Sequence, residues 1–181
     1  GFAVLVPDLF WRQDEVLCEL PDQSESATQK AFELYNKFDV DKAIEDVAAS
    51  LRWLRENENT AGNAAVVGYC LGGLLAFLSG CMLDVEASVG YYGVGIEKHL
   101  ENKNMIRKPM MLHFAEEDGF VPTKTQNEIK QAFKDSDLMS IHSYKGADHG
   151  FARTGGGNYD RAAAETSDLR TLSLLKSALI K

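Results

Sequence analysis

Three residues of this chain have the types and surroundings for acyl-transfer chemistry: Cys70, Asp118 and His149. Cys70 sits in Gly68-Tyr69-Cys70-Leu71-Gly72-Gly73, directly after the apolar run Ala64-Ala65-Val66-Val67 and at the start of a helix-like segment, Leu71 to Ser79. This reads as a strand-to-helix elbow of the G-x-S-x-G kind, with cysteine where the serine would be. Such a turn holds its central residue in a strained backbone conformation, and the glycines two residues before and after it leave room. A thiol suits the place, because the first turn of a helix carries partial positive charge and favours thiolate. His149, in Gly146-Ala147-Asp148-His149-Gly150-Phe151, follows the β-like run Met139 to Tyr144 and supplies a base. Asp118, just after the apolar run Met110 to Phe114, supplies an acid that fixes the tautomer of the imidazole and steadies its charged form.

Each residue also has a plainer reading. A lone cysteine between a strand and a helix is usually a small buried hydrophobe, and here it is the flanking glycines that argue for more. Glu116 and Glu117 compete with Asp118 for the acid role, and spacing does not separate them. Asp148 is next to His149, but adjacent side chains rarely point at one another. His113 and His142 fall within predicted strands, where a hydrogen-bonded structural role is expected, and His99 lies in a charged helical stretch, Glu97 to Lys103, as a surface residue. None of the four histidines pairs with another at a helical metal-ligand spacing, so the pattern does not point to zinc. Arg153, four residues past His149, reads either as a surface ion-pair partner or as an anion-binding group. Arg12, just past the first predicted strand, could face the same crevice.

Together these segments resemble the dienelactone hydrolase (carboxymethylenebutenolidase) family. The resemblance is carried by the elbow, by Glu117-Asp118-Gly119-Phe120-Val121-Pro122, by His149-Gly150-Phe151-Ala152-Arg153 and by the opening Val6-Pro7-Asp8-Leu9-Phe10-Trp11-Arg12-Gln13. It runs from Gly1 to the C-terminal helix, in the nucleophile, acid, base order that α/β-hydrolases use. It implies an α/β-hydrolase fold with a mainly parallel sheet and helices on both faces, a Cys70-His149-Asp118 triad, and no metal or organic cofactor. The implied substrate is a small lactone bearing a carboxylate.

The family pattern is not matched everywhere. Of the two arginines that hold the substrate carboxylate in the family, one matches Arg153, but the other matches Thr28, which cannot form bidentate charge-assisted hydrogen bonds. The tyrosine expected near the oxyanion is Phe32 here, and Tyr35 stands where the family has a tryptophan, so these two side chains are expected to line a pocket of altered polarity. The chain opens on Gly1-Phe2 and enters an apolar run at once, which reads as a single domain, residues 1–181, cut at its front. The family has further strands before this point, one of them followed by a loop that gives an oxyanion-hole amide and a glutamate that holds the resting cysteine. In the residues present, the amide of Leu71 is the oxyanion donor that can be assigned.

The elements that must position these groups alternate along the chain. Strands are expected at Ala3 to Val6, Ala64 to Val67, Ala87 to Tyr92, Met110 to Phe114 and Met139 to Tyr144, with helical segments between them, which is the pattern of a parallel sheet covered on both faces. Such sheets open their ligand crevice at the carboxyl ends of the strands, where all three groups fall. Asp39 caps a helix from Val40 to Glu56 with Val40, Ile44, Val47, Leu51 and Leu54 on one stripe, expected to pack on the sheet. The last helix, Asp160 to Ile180, is expected to bury Leu169, Leu172, Leu175 and Leu179. Gly155-Gly156-Gly157 before it suggests a mobile connector.

A chain of 181 residues can bury one sizeable core. With 27 acidic against 19 basic residues, a net charge of −8 and no basic cluster, a nucleic-acid partner is not expected. Cys18, Cys70 and Cys81 are an odd number without framework spacing, which points to a reducing, cytoplasmic compartment. No run is long and apolar enough for a membrane span, and a monomer is expected. Three functions are compatible with these residues. The first is a Cys-dependent hydrolase of small lactones or esters. The second is a thioesterase or other Cys-dependent acyl hydrolase using the same triad. The third is a non-catalytic ligand-binding domain whose elbow presents helix-terminal amides to an anion.

Overall fold

The computed structural model describes residues 1–13 and 24–180; Cys18 lies outside the described residues. Four apolar runs become parallel strands: β1 (Ala65–Tyr69), β2 (Ala87–Tyr91), β3 (Met110–Ala115) and β4 (Met139–Tyr144). They lie side by side in the order β1-β2-β3-β4, with Gly68 opposite Gly90, Tyr91 opposite His113 and Met111 opposite Ser140. β2 and β3 are buried along their whole length, as strands covered on both faces must be.

Alternation along β2 shows what covers each face. Ser88 and Gly90 face α3 (Leu71–Met82): a Cβ on Gly90 would lie 2.9 Å from the carbonyl oxygen of Gly73, and one on Gly80 would lie 2.3 Å from Ser88 Oγ. Glycine on both elements thus lets helix and sheet touch backbone to backbone. Val89 and Tyr91 face the other way, toward α5 (Arg161–Leu179), where the Tyr91 hydroxyl meets Thr171 Oγ1 at 2.7 Å. On that side Val89, Tyr91, Tyr92, Met111, Tyr144, Phe151 and Ala163 form one core cluster, against which Cys70 packs. A 3-10 helix, Ile96–Met105, kinked at His99, follows β2, and α4 (Thr123–Ala132) follows β3.

The chain divides into two compact units, residues 1–60 and 61–181, and the sheet belongs to the second. The first contains α1 (Glu25–Asn36), capped by Ser24, and α2 (Val40–Glu56), whose Asp39 cap accepts a hydrogen bond from the Lys42 amide at 3.0 Å. Within this unit Phe10 packs edge-on against Phe38, and Arg12 is committed to Asp46 through Nη2 at 2.6 Å and Nε at 3.2 Å. That ion pair gives Arg12 a structural role in place of the crevice-facing one considered from sequence.

Two expectations need correction. Ala3 to Val6 forms no strand: no backbone hydrogen bond among the described residues joins it to a neighbour, and Val4 and Val6 are 80% and 83% exposed. A β-prone run becomes a strand only with a ladder partner. The leucine stripe of the last helix is not its buried face either, since Leu169 is 69% exposed while Ala163, Ala164, Ser167 and Thr171 are buried. Small residues allow close approach to the sheet, and Thr171 is drawn inward by its hydrogen bonds to Tyr91 and His113.

Candidate active site

The elbow forms at the end of β1. Cys70 is the N-cap of α3 with φ 55 and ψ −117, a positive-φ conformation that a non-glycine residue adopts rarely. Its amide donates to the Tyr91 carbonyl at 3.0 Å, and its own carbonyl accepts from Gly73 and Leu74, so the strained residue is gripped from both sides. A Cβ on Gly68 would lie 1.8 Å from the Gly72 carbonyl oxygen, whereas one on Gly72 would meet nothing within 4 Å. Gly68 is therefore the flanking glycine that the turn requires. The Leu71 N–H, first in the helix, has no intrahelical acceptor and is free to serve a ligand.

Asp118 and His149 are brought together from the ends of β3 and β4, with His149 Nδ1 2.9 Å from Asp118 Oδ2. The other oxygen of Asp118 accepts from the amides of Phe120 and Val121 at 2.8 and 3.1 Å, and the residue is buried. Glu116 and Glu117 are exposed, and Glu116 instead accepts from the Gly146 amide. Asp148 accepts from the backbone amide of His149 at 2.6 Å and helps to set the loop. Of the four carboxylates considered from sequence, Asp118 is the one that meets the imidazole.

Burial alone would push the His149 pKa down, but hydrogen bonding to Asp118, the influence of Cys70 and the charges of both raise it to about 9. With Asp118 on Nδ1, the remaining nitrogen, Nε2, is the one available to Cys70 and to a substrate. The ring is flanked by Tyr92, with centroids 4.9 Å apart, and by Phe120 at 4.8 Å; Tyr92 is buried and Phe120 is 57% exposed. Asn158 Nδ2 donates to the His149 carbonyl at 2.9 Å, and the Asp160 amide donates to Phe151 O at 3.0 Å. These bonds close a series of turns from Phe151 to Asp160 that includes the triple glycine and carries Arg153. The Arg153 side chain is exposed and has no ion-pair or hydrogen-bond partner among the described residues.

The remaining histidines have other tasks. His113 is fully buried, with Nδ1 2.8 Å from the Tyr144 hydroxyl and Nε2 3.0 Å from Thr171 Oγ1. Because Arg170 can only donate to the Tyr144 oxygen, the Tyr144 proton is free to point at Nδ1. His113 then carries its proton on Nε2 and donates to Thr171, whose hydroxyl points to Tyr91, which donates to Asp168 at 3.1 Å. Every link of this chain, from the Arg170 cation to the Asp168 anion, is satisfied. Burial, with the nearby charges of His142 and Arg170, lowers the His113 pKa to about 3 and keeps it neutral. His142 stacks on it, with centroids 5.7 Å apart. Burial also raises the Cys81 thiol to about 12, which marks it as inert.

Phe32 and Tyr35 lie on α1 in the first unit, both with exposed rings. Tyr92, Phe120 and Asn158 were not identified from sequence. A signal for Tyr92 existed: it lies between the last residue of a strand and a glycine, where chain direction changes and unusual φ values collect. Asn158 acts only after folding returns it to His149.

Comparison with known proteins gives a consistent result. The profile of the dienelactone hydrolase family matches residues 1–179. The carboxymethylenebutenolidase of Pseudomonas putida is 37% identical over 175 residues, covering 97% of this chain and 74% of that protein. Carboxymethylenebutenolidase 1 of Cupriavidus pinatubonensis is 35% identical with the same coverage. Among solved structures, a provisionally assigned dienelactone hydrolase from Klebsiella pneumoniae subsp. pneumoniae superposes with a TM-score of 0.78 at 20% identity, covering 93% of this chain and 72% of that one. A dienelactone hydrolase-like promiscuous phosphotriesterase from metagenomic libraries superposes with a TM-score of 0.66 at 17% identity, over 86% and 68%. These structural likenesses show the α/β-hydrolase fold.

Proposed function

The chain belongs to the dienelactone hydrolase family, and from that premise we propose that it hydrolyses small carboxylate-bearing lactones or esters with Cys70 as nucleophile. The observation that supports this most directly is the His149–Asp118 pair at 2.9 Å beside a cysteine held at positive φ on a helix N-terminus. Cys70 Sγ attacks the carbonyl carbon, and the Leu71 N–H stabilises the oxyanion. As the tetrahedral species collapses, the acyl C–O bond breaks and His149 Nε2 gives its proton to the leaving oxygen. Water then attacks the thioester while His149 takes the proton, releasing the acid and the Cys70 thiolate with His149 protonated again. Asp118 holds the imidazole throughout.

Arg153, a cation with no partner among the described residues, is assigned to the substrate carboxylate. Thr28 leaves that carboxylate with one arginine in place of the family's two. Among the described residues no helix is long and apolar enough to cross a membrane. The thiol nucleophile works only when reduced, in keeping with the cytoplasmic location read from the cysteines, and a monomer is the expected state.

Replacing Cys70 by alanine is the test. Cys70→Ala abolishes hydrolysis of 4-nitrophenyl acetate and the covalent acyl adduct seen by mass spectrometry, whereas Cys81→Ala retains both. Undiminished turnover in Cys70→Ala overturns the covalent mechanism.

A further inference from the structure

Of the tyrosines around the site, Tyr91 and Tyr144 have hydroxyls bound within the chain of hydrogen bonds ending on α5. Tyr92 does not. The residue is 3% exposed and its hydroxyl makes no hydrogen bond with any described residue. That oxygen is not one of the fully buried unpartnered atoms among the described residues, which are Gln13 Oε1 and Ser88 Oγ, so it still meets solvent at the site. A phenol whose ring is buried against the imidazole, and whose hydroxyl still meets solvent and is bound to no protein group, has its donor free for a ligand.

The surrounding structure holds this side chain in place. Tyr92 has φ 38, and its amide is pinned to the His113 carbonyl at 2.7 Å. Its ring packs edge-on against His149 and against Phe151, 5.3 Å between centroids, and lies 6.1 Å from the Tyr69 ring. A residue kept in a strained conformation by packing and a backbone hydrogen bond is a mark of a functional position.

We propose that the Tyr92 hydroxyl is a second hydrogen-bond donor to the substrate carboxylate, beside Arg153. The inference rests on the carboxylate-bearing substrate proposed above. Burial first, then the fields of Tyr69 and Cys70, push the Tyr92 pKa up, while Arg153 pulls it down. The hydroxyl thus keeps its proton and can donate, and it lies within the electrostatic reach of both the nucleophile and the arginine. A carboxylate offers two oxygens, one for the guanidinium and one for the phenol. This arrangement compensates for the arginine that Thr28 replaces.

The test compares 4-nitrophenyl hydrogen glutarate with 4-nitrophenyl valerate, two esters of equal acyl length of which only the first carries a carboxylate. In Tyr92→Phe, which keeps the ring and its packing, the charged-to-neutral ratio of kcat/KM falls roughly tenfold to a hundredfold, chiefly through KM. Arg153→Ala also lowers the ratio, and the double variant falls by less than the product of the two, because both side chains hold one group. If Arg153→Ala lowers the ratio and Tyr92→Phe does not, the role of Tyr92 is refuted while the carboxylate reading stands. If neither lowers it, the carboxylate reading fails and this inference with it. Equal loss on both esters in Tyr92→Phe refutes the inference in favour of an oxyanion or packing role. The thermal unfolding midpoint of each variant reports whether the site is still folded.

Discussion

Gly68→Ala and Gly72→Ala make the same chemical change on either side of Cys70, and the structure separates them sharply. At Gly68 the new methyl would stand 1.8 Å from the Gly72 carbonyl oxygen and 2.2 Å from its carbon, where ordinary contact begins at 3.4 Å. The oxygen would have to retreat by about 1.6 Å, and it belongs to the first turn of a helix anchored on β2. Overpacking against side chains that can yield costs about 1–3 kcal/mol; against backbone, about 3 kcal/mol or more is expected. At about 2–4 °C per kcal/mol for a chain of this size, the midpoint falls by about 6–12 °C. Activity should fall further still, since the displaced turn carries both Cys70 and the Leu71 amide. At Gly72 the methyl meets nothing, φ is not in the left-handed range, and the site is the second residue of α3. Alanine there should stabilise by about 0.5–1 kcal/mol and retain turnover. Differential scanning fluorimetry and 4-nitrophenyl acetate hydrolysis measure both. A stable, active Gly68→Ala, or a Gly72→Ala as damaged as its counterpart, would refute the steric account of the elbow.

Other outcomes follow from the charges and the loop. Because the folded pKa of His149 is raised to about 9, its protonated form and the stability gained with it are fully present below the unfolded value near 6.5 and are lost as pH rises through 9. The pH profile of kcat/KM for a simple alkyl ester should therefore bend down near 9; Asp118→Asn should move that limb toward the ordinary imidazole range, and a wild-type limb already near 6.5 would contradict the pair. His113, held at about 3 against an ordinary 6.5, contributes stability present above 6.5 and lost as pH falls toward 3, on the order of 5 kcal/mol over that span. Urea titrations across pH should show a steep acid limb that His113→Leu flattens, and an unchanged slope would show that another group governs acid unfolding. Asn158→Ala removes a bond of about 0.5–1.5 kcal/mol. It should speed hydrogen exchange at the Arg153 and Gly156 amides, whereas protection equal to wild type would mean that the turns hold without it.

Much of the site was visible in the sequence because it is made of local motifs. The elbow around Cys70, the Asp118 turn and the His149 loop each follow an apolar run, and the four strands that order them matched to within two residues; β4 matched at both ends. What could not be read depends on direction and partnership. Glu116, Glu117 and Asp118 are equivalent in spacing, and only the fold shows which carboxylate turns inward. The run Ala3 to Val6 has strand-like composition but no ladder partner among the described residues. On α5, hydrophobicity favoured Leu169, but the sheet selected Thr171 and small residues, because two hydroxyls and an imidazole needed partners there. Tyr92 and Asn158 act across long sequence separations, through contacts that no local pattern encodes.

The hydrogen-bond chain that leaves α5 at Arg170, passes through Tyr144, His113, Thr171 and Tyr91, and returns to α5 at Asp168 restricts how this protein can change over time. Replacing one member by an apolar residue strands its neighbours' donors or acceptors in the core, whereas replacing several together by apolar groups of the same shape can be nearly neutral. The route between two well-packed versions of this core therefore crosses less stable intermediates, and substitutions at residues 91, 113, 144 and 171 should depend strongly on one another. Lineages would cross that barrier in linked steps, so relatives should carry either the whole polar set or a wholly apolar one, with mixtures rare.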